Sequence, residues 1–258
     1  MAVSSIVSKA SAMLDVICAS TTPLSFTRIM TQTGFARSST HRVLSTLLEE
    51  RLVAHDTERQ TYQPGPRLVG WAVSTLQAGD LANLAAAMLD DLGARTGAHI
   101  ALAILDGTSA LYLRTIDSFE PYRRAPRVGE RSPLHGCAVG KAMLAFLAPN
   151  RRDALLEDIE LERLTEHTIT DAEAFRAELE DVRETGIAVC DREELLQVVG
   201  LAAPVFGHGG DVVAAVSIWN MIERQDLAAL KKFRDELFAA TSTLSARLGA
   251  EVSAVPAP

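Results

Sequence analysis

Three groups of residues in this chain have types and spacing that could do chemistry. The first is Arg37, Ser38, Ser39, Thr40 and Arg42, crowded together just after Gly34. Guanidinium forks and short hydroxyls reach phosphate oxygens and base edges when a helix N-terminus enters the major groove. Thr27 and Arg28, a little upstream, are placed to touch phosphate. The second is His135 with Cys137, an imidazole beside a thiol, the parts of a base and its nucleophile. Residues i and i+2 in a loop seldom face each other, and no third orienting group stands nearby, so the spacing disfavours an enzyme. With Cys190, the same pair offers three side chains of zinc-ligand type; the alternative is a small apolar pocket wall. The third is Gly136-Cys-Ala-Val-Gly-Lys141, which only superficially imitates a phosphate loop. It has one residue too few between its glycines, and Ala142 stands where a magnesium-holding Ser or Thr belongs. Read physically, small residues at a helix N-terminus leave backbone N–H groups free and favour a carboxylate or similar anion.

Residues 25–52 read as two helices joined by a tight turn. Ser25 suits an N-cap; Phe26, Ile29 and Met30 give a short apolar face; Gly34 suits a left-handed C′ position. The second helix carries Val43, Leu44, Leu47 and Leu48 on one stripe, with the polar cluster at its start. A helix over about 8–19, with Ala10, Met13, Leu14 and Ile17 inward, precedes this pair. A small hairpin follows, Val53-Ala54-His55 and Thr61-Tyr62-Gln63 around the turn at 56–59, stopped by Pro64-Gly65-Pro66. Helix, helix, helix, hairpin is the order of a winged helix-turn-helix. Arg59 at the hairpin tip either contacts a phosphate or the minor groove or is merely solvated. A further helix from Arg67, with Leu68, Trp71, Ala72 and Leu76 on one side, reads as a linker and dimer contact or as packing on its own domain.

Beyond Gly79 the pattern becomes mixed. A helix over 81–95 precedes an antiparallel hairpin, 99–105 and 110–116, turned at Asp106-Gly107. The basic, aromatic stretch 121–131, with Tyr122, Arg123, Arg124, Arg127 and Arg131, reads as a loop bordering a ligand cleft or as a second nucleic-acid patch. Pro133 leads into a helix whose inner face is Val139, Ala142, Met143, Phe146 and Leu147. A charged helix over 150–161, a capping box from Thr170 to Glu173, and a helix ended by Gly186 follow. Strands are expected at 187–190, 200–206 and 212–219, then one amphipathic helix over about 225–248 and a loose tail. No internal repeats are present.

Composition narrows the class. Nearly half of the 258 residues are apolar, enough for a sizeable core, and the net charge of −8 taken alone argues against nucleic acid. Its distribution reverses that reading: residues 1–78 carry seven Lys/Arg against five Asp/Glu, leaving the acidity to the rest of the chain. Three cysteines without a C-x-x-C pair fit reduced thiols. No long apolar run or signal pattern is present, so a cytoplasmic protein without membrane partners is expected.

Four strings resemble the IclR family of bacterial transcriptional regulators. They are Gly34-Phe-Ala-Arg-Ser-Ser-Thr-His-Arg-Val-Leu, Arg131-Ser-Pro-Leu-His-x-x-Ala-x-Gly-Lys-Ala, Thr168-Ile-Thr, and Leu201-Ala-Ala-Pro-Val, collinear over about 6–248. The resemblance implies an α+β protein: a winged helix-turn-helix domain (1–66), a linker helix (67–79) and a GAF-like effector-binding and oligomerisation domain (80–258) with a mostly antiparallel sheet. It implies a non-enzymatic, ligand-responsive regulator, a repressor of a catabolic operon, acting as a dimer or dimer of dimers on palindromic double-stranded operator DNA. The expected effector is a small organic acid or aromatic metabolite, with no cofactor, although some relatives carry zinc in this domain. The DNA-contacting set is Thr27, Arg28, Arg37, Ser38, Ser39, Thr40, Arg42 and Arg59. The effector set, carried over by position, is Ser132, Ala138, Val139, Cys190, Val198, Gly200, Ser217 and Trp219. Three of these depart from the family pattern: Cys190 stands where an Asp is common, Gly200 where a Cys is frequent, and Trp219 where a small polar residue often lies.

Overall fold

Apolar residues at helical spacing build the first unit before any strand is needed. The computed structural model describes residues 5–71, 80–117 and 126–250, and the chain divides into two compact units, residues 1–80 and 81–258. In the first, helix α1 (Ser5–Ala19) buries Met13 and Ile17. Helix α2 (Phe26–Thr33) is capped as its sequence requires. The Ser25 hydroxyl accepts from Arg28 N at 3.4 Å, and Gly34 takes φ +70°, a left-handed value that costs glycine little. Helix α3 (Arg37–Glu49) turns Val43, Leu44 and Leu47 onto Met13, Ile17 and Ile29.

The wing pairs β2 (Val53–Asp56) with β3 (Thr61–Pro64), Val53 opposite Pro64 and Asp56 opposite Thr61. Its turn is tied by Asp56 Oδ1, which accepts from both Glu58 N and Arg59 N at 3.0 Å. A two-residue strand β1 (Leu24–Ser25) adds to the far edge of β3, giving the order β1-β3-β2. Two residues are too few for a periodicity, so sequence reading sees only the cap at Ser25. Gly65 is constrained by packing: a Cβ there would lie 2.2 Å from the Arg51 carbonyl oxygen. The expected linker helix, α4, is described only over 66–71. There Arg67 pairs with Glu50 and lies 5.1 Å over the half-exposed Trp71 ring. Ala72, Leu76 and the remainder to 79 fall outside the described residues, as do Tyr122, Arg123 and Arg124 and the expected tail.

The second unit is a six-stranded antiparallel sheet, in the order β6-β5-β4-β9-β8-β7, covered on both faces. Its strands are β4 (His99–Asp106), β5 (Ser109–Ile116), β6 (Arg131–Pro133), β7 (Ala188–Asp191), β8 (Val198–Phe206) and β9 (Val212–Met221). Period-two alternation divides them. Ile100, Leu102, Leu201, Val216 and Ile218 face the helices α5 (Asp80–Thr96) and α10 (Arg234–Arg247). Ala101, Ala103, Tyr112, Ala202 and Ala215 face α6 (Ala138–Phe146) and α8 (Ala172–Thr185). Burial of both faces explains why these strands read as continuous apolar runs. Alanines on the second face let α6 sit deep, and every residue from Ala138 to Ala145 is buried. Gly140 makes that approach possible, since a Cβ there would meet the Leu134 carbonyl oxygen at 2.3 Å.

Lys141 is among those buried residues. Its ammonium, fully enclosed, lies 2.8 Å from Glu178 on α8 and 2.8 and 3.0 Å from the two oxygens of Glu193 in the β7–β8 turn. Burial alone would pull its pKa down; the two carboxylates outweigh that and hold it above the ordinary lysine value. The turn is fastened a second time by Thr168, which donates to the Glu193 carbonyl at 2.7 Å, and by Thr165, which donates to the Arg192 carbonyl at 2.7 Å.

Three expectations are corrected. The capping box at Thr170 does not form: Asp171 is the N-cap, accepting from Ala174 N at 2.8 Å, while Thr170 receives Arg163 at 3.2 Å. A carboxylate is the stronger acceptor at a helix N-terminus. The charged helix, α7, is Pro149–Asp158, started by proline at its first position. The single last helix is three pieces, α9 (Leu227–Leu230), a 3-10 turn Lys231–Phe233 and α10, with the joint at Phe233 (φ −97°, ψ 18°). No glycine or proline marks that joint. Among the described residues, no helix is long and apolar enough to cross a membrane.

Removing one partner of a buried ion pair strands the other charge and costs about 3–5 kcal/mol. Lys141→Met is therefore expected to destabilise the second unit by that order, read as a lower urea midpoint, and adding Glu193→Gln to recover part of the loss. Equal stability of Lys141→Met and the unsubstituted protein would show that the enclosed ammonium is dispensable.

Candidate functional site

The start of α3 presents a polar face. Arg37, Ser38 and Arg42 are exposed, as are Thr27 and Arg28 on the first turn of α2 and Arg59 at the wing tip. Ser39 is half-buried and receives Lys9 Nζ at 3.3 Å, which brings a further cation from α1 beside the cluster. Thr40 is different. It is fully buried, with its hydroxyl donating to the Ala36 carbonyl at 3.2 Å, so it packs the helix and cannot reach a groove. The cause is helical phase: Thr40 lies three and four residues before Val43 and Leu44, on their stripe. His41, which sequence reading passed over, takes its place on the outer face, one turn beyond Arg37. The signal was available, because residues 37, 38, 41 and 42 recur at helical spacing. The Phe26 ring underlies this patch, with the Arg37 guanidinium 5.6 Å from its centroid and the His41 ring at 6.4 Å.

The second unit holds a cavity of about 160 Å³ where the start of α6 meets β5, β6, β8, β9 and the turn after β7. Ser132, Ala138, Val139, Cys190, Val198, Gly200, Ser217 and Trp219 all line it. The structure therefore brings together on one surface the eight positions proposed from separate stretches of sequence. Their register explains why. Gly200 and His99 flank Trp219 on neighbouring strands, and Ala202 flanks Ser217. The His99 ring stacks on Trp219 with centroids 4.3 Å apart. Gly200 packs closely under Trp219: a Cβ there would lie 3.1 Å from Trp219 Cβ. Trp219 Nε1 is buried without a hydrogen-bond partner among the described residues.

The lining also includes residues outside that set, among them Tyr112 and Glu194, which sequence reading missed. Tyr112 on β5 donates to Ser132 Oγ at 3.3 Å, and Glu194 lies in the same turn as Glu193. Tyr112 was legible as an inward strand position; Glu194 read only as one acid among several. Burial pushes the Glu194 carboxyl above the ordinary range, opposed by a hydrogen bond with Ser132. Burial likewise raises the Cys137 thiol strongly and the Cys190 thiol to about 11, so both are neutral near pH 7. Cys190 Sγ donates to the Gly136 carbonyl at 3.3 Å, and His135 Nε2 is engaged with the Glu162 carbonyl at 2.9 Å. A neutral, enclosed thiol with its neighbouring imidazole turned to another partner is not an activated nucleophile. Among the described residues, no group of three or more His, Cys, Asp or Glu could hold a metal ion.

Family models support this division of labour. The IclR helix-turn-helix domain matches residues 6–57, and the bacterial transcriptional regulator IclR C-terminal model matches 73–246. The chain is 32% identical to the HTH-type transcriptional regulator XynR of Escherichia coli (strain K12) over 94% of its own length and 96% of that protein. It is 31% identical to the HTH-type transcriptional regulator KdgR of the same strain over 88% of its own length and 86% of that protein. The crystal structure of Thermotoga maritima IclR superposes with a TM-score of 0.76 at 26% identity, covering 94% of this chain and 98% of that one.

Two substitutions separate packing from contact on α3. Thr40→Val is expected to cost about 1 kcal/mol or less of stability, since the Ala36 carbonyl keeps its bond from Thr40 N. It should leave DNA affinity unchanged. Arg37→Ala should move stability by no more than about 0.5 kcal/mol and weaken DNA binding. A Thr40→Val protein that folds normally yet loses operator preference would restore Thr40 as a reader. In the cavity, a carboxyl whose folded pKa is raised binds its proton more tightly in the native state, so it costs stability as pH rises above its unfolded value. Glu194→Gln should therefore melt higher than the unsubstituted protein at pH 7.5, with the gap closing towards pH 4.5. Thermal unfolding across that range checks the sign.

Proposed function

The chain belongs to the IclR family of bacterial transcriptional regulators, and from that premise we propose that it is a repressor of a catabolic operon released by a small aromatic or organic acid. The observation that carries the effector half is the convergence of eight dispersed positions on one cavity at the start of α6. A space of about 160 Å³ is close to one that takes up benzene, about 150 Å³, which suits a single-ring or short-chain acid. A structural relative of 23% identity, an IclR homolog from Microbacterium hydrocarbonoxydans, is complexed with 4-hydroxybenzoate, and that compound is the first to try. The reading assigns Cys137 and Cys190 to the cavity wall and needs no metal or other cofactor.

For the DNA half, the exposed N-terminal face of α3 enters the major groove, with Arg28 and Arg59 on phosphates. Two copies would place their helices on half-sites one helical turn apart or a multiple of it. The modest basic excess of residues 1–78 supports the need for two, as a dimer or dimer of dimers in the cytoplasm. Regulation follows only if the effector binds one arrangement of the protein better than the other.

The test is fluorescence anisotropy with the chain's own upstream DNA. Losing two groove or phosphate contacts at about 1–3 kcal/mol each, Arg37→Ala/Arg42→Ala should weaken binding by at least about tenfold, with a shallower salt dependence. Unchanged binding by that variant sinks the assignment of α3. Release of the complex by 4-hydroxybenzoate, and raised transcription in a deletion strain, are the results expected of a repressor; lowered transcription would make it an activator.

A further inference from the structure

Among the described residues the cavity is lined by two carboxyls, Glu194 in the β7–β8 turn and Glu130 just before β6, and by no cation that is free to answer a further negative charge. Lys141 is consumed by Glu193 and Glu178 behind the wall, at 2.8 Å to each. Arg131, at the mouth, holds Asp106 at 2.6 and 2.7 Å, and Arg192 holds Asp191 at 2.8 Å. What remains is a set of neutral donors: the hydroxyls of Tyr112, Ser132 and Ser217, and the first backbone N–H groups of α6. Glu194 is partly buried, and its backbone is anchored through its neighbour. The residue before it is bonded through its carboxylate to Lys141 and through its carbonyl to Thr168 at 2.7 Å.

Building on the effector-cavity reading above, we infer that Glu194 sets the charge of the cavity's occupant: an aromatic carboxylate enters together with one proton, which Glu194 takes from solvent and donates to that carboxylate as a hydrogen bond. Two carboxylates enclosed side by side do not both stay ionised; they share a proton. The shared-proton bond is charge-assisted, which makes it short and strong. No redox partner is needed, because anion, proton and ionised Glu194 combine into a complex carrying one negative charge.

The groups facing Glu194 from each neighbouring element are neutral near pH 7 or already partnered. Tyr112 from β5 and Cys137 from α6 have their pKa values pushed well up by burial, and Cys190 from β7 is raised to about 11. Ser132 from β6 does not ionise, Arg131 beside it is paired, and Glu193 on the same turn faces Lys141. Glu130 at the mouth accepts from Arg127 N at 2.9 Å. The raised pKa of Glu194 itself agrees with a carboxyl already part-way to accepting a proton.

The experiment is calorimetric titration of the full-length protein with benzoate, its uncharged amide benzamide, and the cation benzylamine. It runs from pH 5.5 to 8 in two buffers of different ionisation heat. Benzoate should bind with uptake of up to one proton, its affinity falling up to about tenfold per pH unit above the Glu194 titration. Glu194→Gln should bind benzoate with pH-independent affinity, since the amide donates without titrating, and benzamide should show no pH dependence with either protein. Flat benzoate affinity in the unsubstituted protein, pH dependence that survives Glu194→Gln, benzylamine binding more tightly than benzoate, or no benzoate binding each overturns the inference. Val198→Trp, which fills the cavity, separates the two claims. If it abolishes a benzoate affinity that is flat with pH, the cavity stands and the proton linkage falls. If it leaves benzoate binding intact, the ligand lies elsewhere and both fall.

Discussion

The enclosed ammonium of Lys141 is the constraint on which the second unit depends. An unpaired charge in that position would be far too costly to desolvate, so the fold must deliver two carboxylates to it from elements 37 and 52 residues away in sequence. Helix α8 supplies Glu178 and the β7–β8 turn supplies Glu193. Meeting that demand fixes how deep α6 sits, which in turn requires Gly140 against Leu134 and alanines on the facing strands. Replacing such a charged cluster by apolar side chains is often neutral for stability in other proteins. Its value here is positional: it holds the turn that carries Glu194 and the end of the helix that opens the cavity.

That division also explains the Gly-Lys string. Lys141 resembles a phosphate-binding lysine by its neighbours, yet the spacing is short and the side chain points into the protein to its two carboxylates. A lysine one position beyond a glycine in a helix has two possible fates, and only the surrounding acids decide between them. Those acids are too far away in the chain for any local pattern to reveal.

Much of the fold was legible because its signals are local. Ser25, Gly34, Asp106-Gly107 and Gly186 mark turns and caps through their own backbone preferences, and alternating Ile100, Ala101, Leu102, Ala103 assigns two sheet faces. What escaped was decided by tertiary contact. The strand at Leu24 exists only because β3 offers an edge, and the joint at Phe233 has no breaker residue. Asp171 displaced Thr170 as a cap by chemistry that both residues could supply. Of the site, positions aligned to family strings were found together. Thr40 was misplaced because residue type was weighed before helical phase, and Glu194 was passed over because its role depends on enclosure.

The Gly200–Trp219 exchange shows why a cavity of this kind cannot be transferred whole from a relative. The indole occupies space where a smaller side chain would leave it open, and its cross-strand neighbour is a glycine whose missing Cβ relieves a tight contact with the Trp219 Cβ. His99 completes the arrangement from the other side by stacking, with burial holding the imidazole pKa down even though Asp117 lies 3.4 Å away. Three strands thus share one packing solution, so a substitution at any of these positions changes the volume available at the others. Within that volume the polar lining is made of hydroxyls, two neutral thiols, one indole, the paired Arg131 and the carboxyls of Glu130 and Glu194. On the reading proposed above, a ring-sized ligand fits that volume and Glu194 governs the charge at which it stays. Effector specificity, on that reading, is a joint property of a glycine, a tryptophan and a glutamate that lie apart in sequence and meet only in the folded unit.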